Sequence, residues 1–139
     1  MITGQCLCGG VRFEIDGQLG PVIYCHCSMC RRASGSSFAT NASVRSENFR
    51  IISGHGLINE YESAPGNRRA FCSECGSPLY GSFADLPSVR RLRLGALDNV
   101  GGAKPVAHIW IGSKSDWYEI ADNLEQFREE PPESYCAPG

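Results

Sequence analysis

The sequence predicts a mostly β domain built from small antiparallel sheets. Apolar and polar residues alternate with a period of two in several short segments, as they do in half-buried strands. Sixteen glycines and eight prolines are spread along the chain, which is typical of frequent turns. Helical signals are scarce, so strands are expected to dominate.

The strand predictions follow this alternation along the chain. In residues 11–15, apolar side chains occupy every second position. In residues 89–97, leucines alternate with Arg91 and Arg93, so the two arginines are expected on the opposite face from the leucines. Further strands are predicted at residues 21–25, 37–41, 49–53, 58–62, 69–72, 78–82 and 107–111.

Two segments favour short turns of helix. Residues 28–33 could form one short turn after Cys27, and residues 122–127 begin with Asp122 or Asn123, which are good capping residues. Residues 129–139 are charged and rich in proline, so we expect a loosely ordered C-terminal tail. The folded domain is therefore predicted to span residues 1–128.

Composition narrows the functional classes. The 139 residues fit one domain, and 42% hydrophobic with 20% charged residues is an ordinary globular composition. A net charge of -2 does not favour a nucleic-acid partner, whose phosphates require positive charge. No segment predicts a signal peptide or a membrane helix, so we expect a cytoplasmic protein without a membrane partner.

Cysteine spacing carries the strongest functional signal. Seven of the eight cysteines fall into three clusters: Cys6 and Cys8; Cys25, Cys27 and Cys30; and Cys72 and Cys75. The last pair forms a Cys-x-x-Cys-Gly turn, in which Gly76 permits the positive φ of a metal-binding knuckle. A redox disulfide is the alternative, but that motif belongs to a βαβ setting, and here strands are predicted on both sides.

The first cluster can complete a site with the third. On a strand, Cys6 and Cys8 would project from the same face and could grip one ion. With Cys72 and Cys75 they would supply the four thiolates of a tetrahedral structural zinc. The alternative is that the middle cluster joins one outer pair, which would leave the other pair of thiols without a role.

The middle cluster offers three ligands from one short segment. Cys25, Cys27 and Cys30 leave a tetrahedral zinc one position short, which is the composition of catalytic zinc sites. A fourth protein ligand could instead close the site. The candidates are His26, His55, His108 and Cys136, of which Cys136 is otherwise expected to be a free thiol in the tail.

The complete set of motifs resembles the glutathione-dependent formaldehyde-activating enzyme family, which includes centromere protein V-like proteins. The matching segments are GQCLCGGVRFEI, YCHCSMCRRASGSSF, FCSECGSPLY and HIWIGSKSDWYEI, within residues 2–128. The resemblance implies an all-β, Mss4-like fold around structural zinc. It also implies two zinc ions per chain, one structural and one functional.

The same resemblance assigns residues and a reaction. It implies that Cys6, Cys8, Cys72 and Cys75 hold the structural zinc and that Cys25, Cys27 and Cys30 hold the functional zinc. The namesake reaction adds glutathione to formaldehyde and gives S-hydroxymethylglutathione, so the implied partner is a small-molecule thiol such as glutathione. The reverse direction breaks a carbon–sulfur bond, which places the activity among the carbon–sulfur lyases.

Neighbours of the middle cluster have candidate roles. A thiol entering the open position would lose its proton and attack a carbonyl carbon. Arg31 and Arg32 could hold a carboxylate of that thiol, or they could simply be surface charges. His26 could shuttle a proton, or it could be packed and hydrogen-bonded in the interior. The alternative function is a non-catalytic binding or scaffold module in which both zinc ions only stabilise the fold.

Three large aromatic residues complete these expectations. Phe38, Trp110 and Trp117 are expected to lie in the core and not in a pocket.

Overall fold

Strands dominate the protein, as predicted. A computed structural model describes residues 1–139, with eleven strands, one α-helix and five short 3-10 helices. The strands are β1 Ile2–Gln5, β2 Arg12–Ile15, β3 Val22–Cys25, β4 Ala39–Arg45, β5 Phe49–Ser53, β6 Ile58–Ala64, β7 Asn67–Cys72, β8 Pro78–Phe83, β9 Val89–Arg93, β10 Pro105–Ile109 and β11 Glu125–Gln126. The α-helix is α1 Ser28–Ser34, and the 3-10 helices are Ser46–Asn48, His55–Leu57, Leu94–Ala96, Ile111–Ser113 and Glu133–Cys136. No helix has the length and hydropathy needed to span a membrane.

The strands form two sheets. A three-stranded antiparallel sheet has the order β1-β2-β5, and an eight-stranded sheet has the order β11-β10-β3-β4-β9-β8-β7-β6. Antiparallel pairing prevails, but β10 runs parallel to both of its neighbours, β3 and β11. The mostly β class with antiparallel sheets is therefore confirmed, and the larger sheet adds two parallel pairings.

Two hydrophobic cores form, and each contains cysteines. The first comprises Ile2, Cys6, Val11, Phe13, Ile15, Val44, Cys72, Leu79 and Leu92. The second comprises Ile23, Cys25, Cys30, Ala39, Ala107 and Ile109. Burying these apolar side chains fixes the segments that carry the cysteines, because packed interiors hold side chains in single rotamers.

The predicted helical turn at residues 122–127 is wrong. The side chain of Asp122 instead accepts a hydrogen bond from the backbone N–H of Leu124 at 3.0 Å, which makes a local turn. The chain then pairs with β10 at Glu125 and Gln126. A sheet edge that can accept a further strand therefore outweighs the weak local helix signal.

The C-terminal segment packs in the structure, in contrast to the expected loose tail. Tyr135 and Cys136 contact the second core, and the Tyr135 ring lies 5.1 Å from that of Phe127. The Tyr135 hydroxyl donates a hydrogen bond to Glu125 at 2.8 Å. Whether the domain boundary lies at residue 128 stays a prediction.

Candidate metal centres

The first and third cysteine clusters meet in space. The sulfur atoms of Cys6, Cys8, Cys72 and Cys75 all lie within 4.8 Å of one another. Cys6 and Cys8 are separated by 3.5 Å, and Cys8 and Cys72 by 3.9 Å. Zinc–sulfur bonds of about 2.3 Å place tetrahedral sulfurs about 3.8 Å apart, so this group fits a zinc ion.

The route by which Cys6 and Cys8 converge differs from the prediction. Both residues lie on the turn after β1, not on a strand. Gly9, with a φ of 75°, allows this turn to reverse. The backbone N–H of Val11 then donates to the Cys6 sulfur at 3.2 Å, which helps to hold that side chain in the group.

The Cys-x-x-Cys-Gly knuckle has the predicted backbone. Gly76 adopts a φ of 76°, and its N–H donates to the Cys72 carbonyl at 2.7 Å. Hydrogen bonds from the Ser77 hydroxyl and from backbone N–H groups lower the pKa of Cys75 to about 5. A thiol with this pKa is ionised at neutral pH, which is the form that binds metal.

The middle cluster forms a second, separate group. Cys25 ends β3, Cys27 caps α1, and Cys30 lies in the first turn of that helix. Their sulfur atoms lie within 4.8 Å of one another, which again fits a zinc ion. The backbone N–H of Cys30 donates to the Cys27 sulfur at 3.3 Å, so the helix start itself fixes two of the three thiols.

None of the proposed closing ligands joins this second group. The four candidates were His26, His55, His108 and Cys136. No ligand atom of any His, Cys, Asp or Glu outside the group lies within 4.8 Å of all three sulfurs. The chain therefore supplies three thiols here and four at the first group.

Positive charge surrounds the second group. Both terminal nitrogens of Arg69 approach the Cys30 sulfur, at 3.8 and 3.9 Å. Hydrogen bonds from the Cys25 and Cys27 thiols, together with the charges of Arg69 and Arg93, lower the pKa of Cys30. The same contacts with Cys27 and Cys30, together with burial, raise the pKa of Cys25, so Cys30 is the thiol of this group that is predisposed to ionise.

Two clefts meet at the second group. One has a volume of about 630 Å³ and the other about 650 Å³. Cys30, Arg69 and Arg93 line both of them. Volumes of this size suit small-molecule ligands. The second group is therefore accessible from two sides, although Cys25 and Cys30 are themselves largely buried.

The aromatic residues expected in the core take three different positions. Phe38 lines the first cleft and Trp110 lines the second, while 69% of Trp117 is exposed. The expectation of a core position outside any pocket is therefore wrong for all three, because Phe38 and Trp110 are half-buried cleft residues and Trp117 faces solvent. Trp110 adopts a φ of 57°, because the backbone turns there from β10 into a 3-10 helix.

Arg31 and Arg32 line neither cleft. Both lie in the last turn of α1, where Arg32 is exposed and Arg31 is half-buried. Basic side chains at that end complement the helix dipole. Their predicted contact with a substrate carboxylate stays a prediction.

His26 also lines neither cleft. Its side chain is fully buried, and its Nε2 lies 2.8 Å from Nδ1 of His108. Nε2 of His108 lies 2.9 Å from the Asp122 carboxylate. Desolvation, followed by the charge of His108, lowers the pKa of His26 to about 4, so the ring is neutral at physiological pH. This placement matches the packed, hydrogen-bonded alternative, and a proton-shuttle role stays a prediction.

The sequence reasoning missed Arg69 as a neighbour of the second group. Arg69 precedes the knuckle by three residues, and no local pattern marks it as a neighbour of the second group. The alternation in β9 did contain a signal for Arg93, since it predicted Arg91 and Arg93 on the face opposite the leucines. Only the order of strands in the large sheet brings β7, with Arg69, and β9, with Arg93, close to the second cysteine group.

Comparisons with other proteins agree on one family. Residues 1–113 match the family described as glutathione-dependent formaldehyde-activating enzyme. Proteins from Aspergillus flavus and Aspergillus oryzae, provisionally named as glutathione-dependent formaldehyde-activating enzymes, are each 30% identical over 78 residues. Those matches cover 55% of this chain but 41% of the relatives, so the chain matches less than half of their length.

A solved structure supports the fold independently. A Rhodobacter sphaeroides protein superposes with a TM-score of 0.60 and 24% sequence identity. The superposition covers 72% of this chain and 91% of that protein. At this identity the likeness concerns the fold alone.

Proposed function

Since the chain belongs to the glutathione-dependent formaldehyde-activating enzyme family, we propose that it is a zinc-dependent carbon–sulfur lyase acting on a small thiol adduct. The proposed reaction joins a thiol, by family resemblance glutathione, to formaldehyde. The thiol sulfur bonds to the formaldehyde carbon, and the thiol proton passes to the oxygen, which becomes the hydroxyl of the product. All atoms balance without an oxidant or reductant.

One observation carries this proposal. The second cysteine group offers three converging thiols and no fourth protein ligand, at the meeting point of two clefts. A purely structural zinc site is normally closed by four protein ligands, as the first group would be. The difference between the two groups favours a site that receives a ligand from the clefts.

Cys25, Cys27 and Cys30 would hold the functional zinc ion, which when bound stabilises a further sulfur as thiolate. The chain's own residues have supporting roles. Arg69 places positive charge beside Cys30 and lowers the local cost of gathering thiolates. The two clefts offer room for the reactants beside Cys30.

His26 is proposed to hold the Cys25–Cys27 segment in place. Its ring is anchored by His108, while its backbone N–H donates to the Ile109 carbonyl at 2.9 Å. These contacts join the end of β3 to β10. A fixed backbone keeps the thiols in register, as metal sites require of the residues behind their ligands.

Nuclear magnetic resonance with labelled formaldehyde and glutathione tests the reaction. The zinc-loaded protein is expected to speed exchange between formaldehyde and S-hydroxymethylglutathione above the spontaneous rate. Zinc content should be near two per chain. A content near one, or an unchanged exchange rate, would contradict the proposal.

Two cysteine variants separate catalysis from stability. Cys27→Ser should lose one zinc and the exchange activity but keep the fold, because serine still caps α1. Cys72→Ser should unfold the protein, because Cys72 is fully buried in the first core. Equal unfolding by both variants would favour a scaffold module with two structural zinc ions.

A reducing compartment suits this chemistry. All eight cysteines are free thiols. Thiols that act as metal ligands must stay reduced, which favours the cytoplasm.

A further inference from the structure

Three arginines line one face of the large sheet next to the second cysteine group. Arg69 of β7 lies opposite Gly81 of β8, and Gly81 lies opposite Arg91 of β9. Arg93 follows two residues later and therefore projects to the same face as Arg91. The register thus gathers three guanidinium groups around a glycine.

The glycine leaves the space that these side chains occupy. A Cβ at Gly81 would lie 3.3 Å from Nη2 of Arg93 and 3.9 Å from the Cβ of Arg91. The Arg93 side chain therefore folds over Gly81. Arg69 and Arg93 both reach the place where the two clefts meet, and Arg91 lines the second cleft.

No carboxylate neutralises these three arginines. The ion pairs of the protein involve Arg50, Arg68 and His108, and none includes Arg69, Arg91 or Arg93. This holds although the second cleft has carboxylates of its own, from Asp85, Glu130 and Glu133.

Their hydrogen-bonding capacity is also largely unused. Arg93 donates to the Asn41 amide oxygen at 2.6 Å, and Arg69 contacts only the Cys30 sulfur. Nε of Arg91 is buried without a partner, and its guanidinium lies 5.0 Å from the Phe83 ring centre. Gathering unpaired cations is unfavourable, so the arrangement indicates an anionic ligand.

The charges can be counted. A zinc ion, its three thiolates and one substrate thiolate together carry two negative charges. Three guanidinium groups carry three positive charges, because arginine stays protonated. Counted without Asp85, Glu130 and Glu133, which line the second cleft but form no ion pair with these arginines, one positive charge is left over, which one carboxylate would neutralise.

We propose that Arg69, Arg91 and Arg93 form a carboxylate-binding subsite that selects thiols bearing a carboxylate a few bonds from the sulfur. The short distance from Arg69 to Cys30 sets this spacing, since a sulfur beside Cys30 leaves room for only a short chain before the arginines. The inference rests on the proposed function in one respect, namely that the thiol group of the ligand binds at the second cysteine group. Recognition of the carboxylate depends only on the three arginines.

Two isosteric thiols test the subsite by binding, without reference to turnover. Isothermal titration calorimetry of the zinc-loaded full chain compares 3-mercaptopropionate with the neutral 3-mercaptopropionamide. The carboxylate is expected to bind about tenfold or more tightly, the ordinary worth of a charge-assisted hydrogen bond to arginine. Arg69→Gln and Arg91→Gln should each reduce that ratio, and both together should reduce it further than either alone, with Arg93 still in place.

Arg45→Gln is the matched control. Arg45 is an exposed arginine on β4 of the same sheet, it lines neither cleft, and it forms no ion pair. Its substitution should leave the ratio unchanged. Circular dichroism establishes that each variant is folded, and Arg93 is left intact because its bond to Asn41 has a structural role as well.

The outcomes separate the two proposals. Three results would overturn the proposed subsite. The unaltered protein could bind the two thiols equally, it could bind neither, or the affinity ratio could stay unchanged in the variant that carries both substitutions. A carboxylate preference that depends on Arg69 and Arg91 supports the subsite even if no thiol speeds formaldehyde exchange. In that last case it is the proposed lyase reaction that fails.

Discussion

His26 and His108 are hydrogen-bonded to each other in the interior, with 2.8 Å between Nε2 of His26 and Nδ1 of His108. The Asp122 carboxylate can only accept, so it fixes the proton of His108 on Nε2. In the neutral ring of His108, Nδ1 then accepts, and His26 donates from Nε2. One surface carboxylate therefore sets the tautomer of both rings and, through His26, holds the segment that carries Cys25 and Cys27.

Replacing His108 by phenylalanine should destabilise the protein. The ring contacts with Tyr24 and Phe38 would be kept, but the buried Nε2 of His26 would lose its acceptor. A buried donor left without a partner costs about 1–3 kcal/mol. Urea unfolding should show a lower midpoint by that amount. His55→Phe, at an exposed histidine, should change the midpoint little, and an equal effect of both would contradict the hydrogen-bond chain.

The same chain predicts a pH dependence. The hydrogen bond from His108 lowers the pKa of Asp122, so the folded state binds its proton less readily than the unfolded state does. The resulting stability is present above the ordinary carboxyl pKa of about 4 and is lost as pH falls through the lowered value. Asp122→Asn should therefore remove part of the acid dependence of unfolding. Identical acid profiles of the two proteins would contradict this linkage.

Local spacing was enough to predict much of the fold and the grouping of the cysteines. Short alternating segments identified the strands, and the three cysteine clusters converge into the two groups expected from them. Both signals are local, because alternation and Cys-x-x-Cys spacing depend on neighbours within a few residues. The turn at Cys6 and Cys8 was predicted as a strand, since both geometries bring sulfurs at positions i and i+2 together.

Features that depend on strand order could not be read from the chain. His26 and His108 are 82 residues apart and meet because β3 pairs in parallel with β10. Arg69 and Arg91 meet across β8, an order that no local pattern specifies. Long-range register is set by packing of the whole sheet, which is why the arginine cluster emerges only from the structure.

The packed C-terminal segment should contribute measurable stability. The Tyr135 ring packs edge to face against Phe127, and its hydroxyl donates a hydrogen bond to Glu125. Tyr135→Ala is expected to lower the free energy of unfolding by about 1–3 kcal/mol, as truncations of packed aromatics do. Ser134→Ala, at an exposed neighbour, provides the control. An unchanged urea midpoint for both variants would instead support a loosely ordered tail at residues 129–139.

Gly54 should be needed for the first cysteine group. Its φ is 85°, and a Cβ there would lie 2.2 Å from the Gly10 carbonyl oxygen and 2.8 Å from the Val11 Cα. The added methyl group of Gly54→Ala must therefore displace the backbone at Val11, whose N–H donates to the Cys6 sulfur. A non-glycine residue in the left-handed conformation also costs about 1–2 kcal/mol. We expect a lower Tm and easier loss of one zinc to a chelator, with the zinc at the second group retained. Gly56→Ala is the control, because a Cβ there meets no atom within 4 Å, and matching effects of the two substitutions would rule out this close approach as the cause.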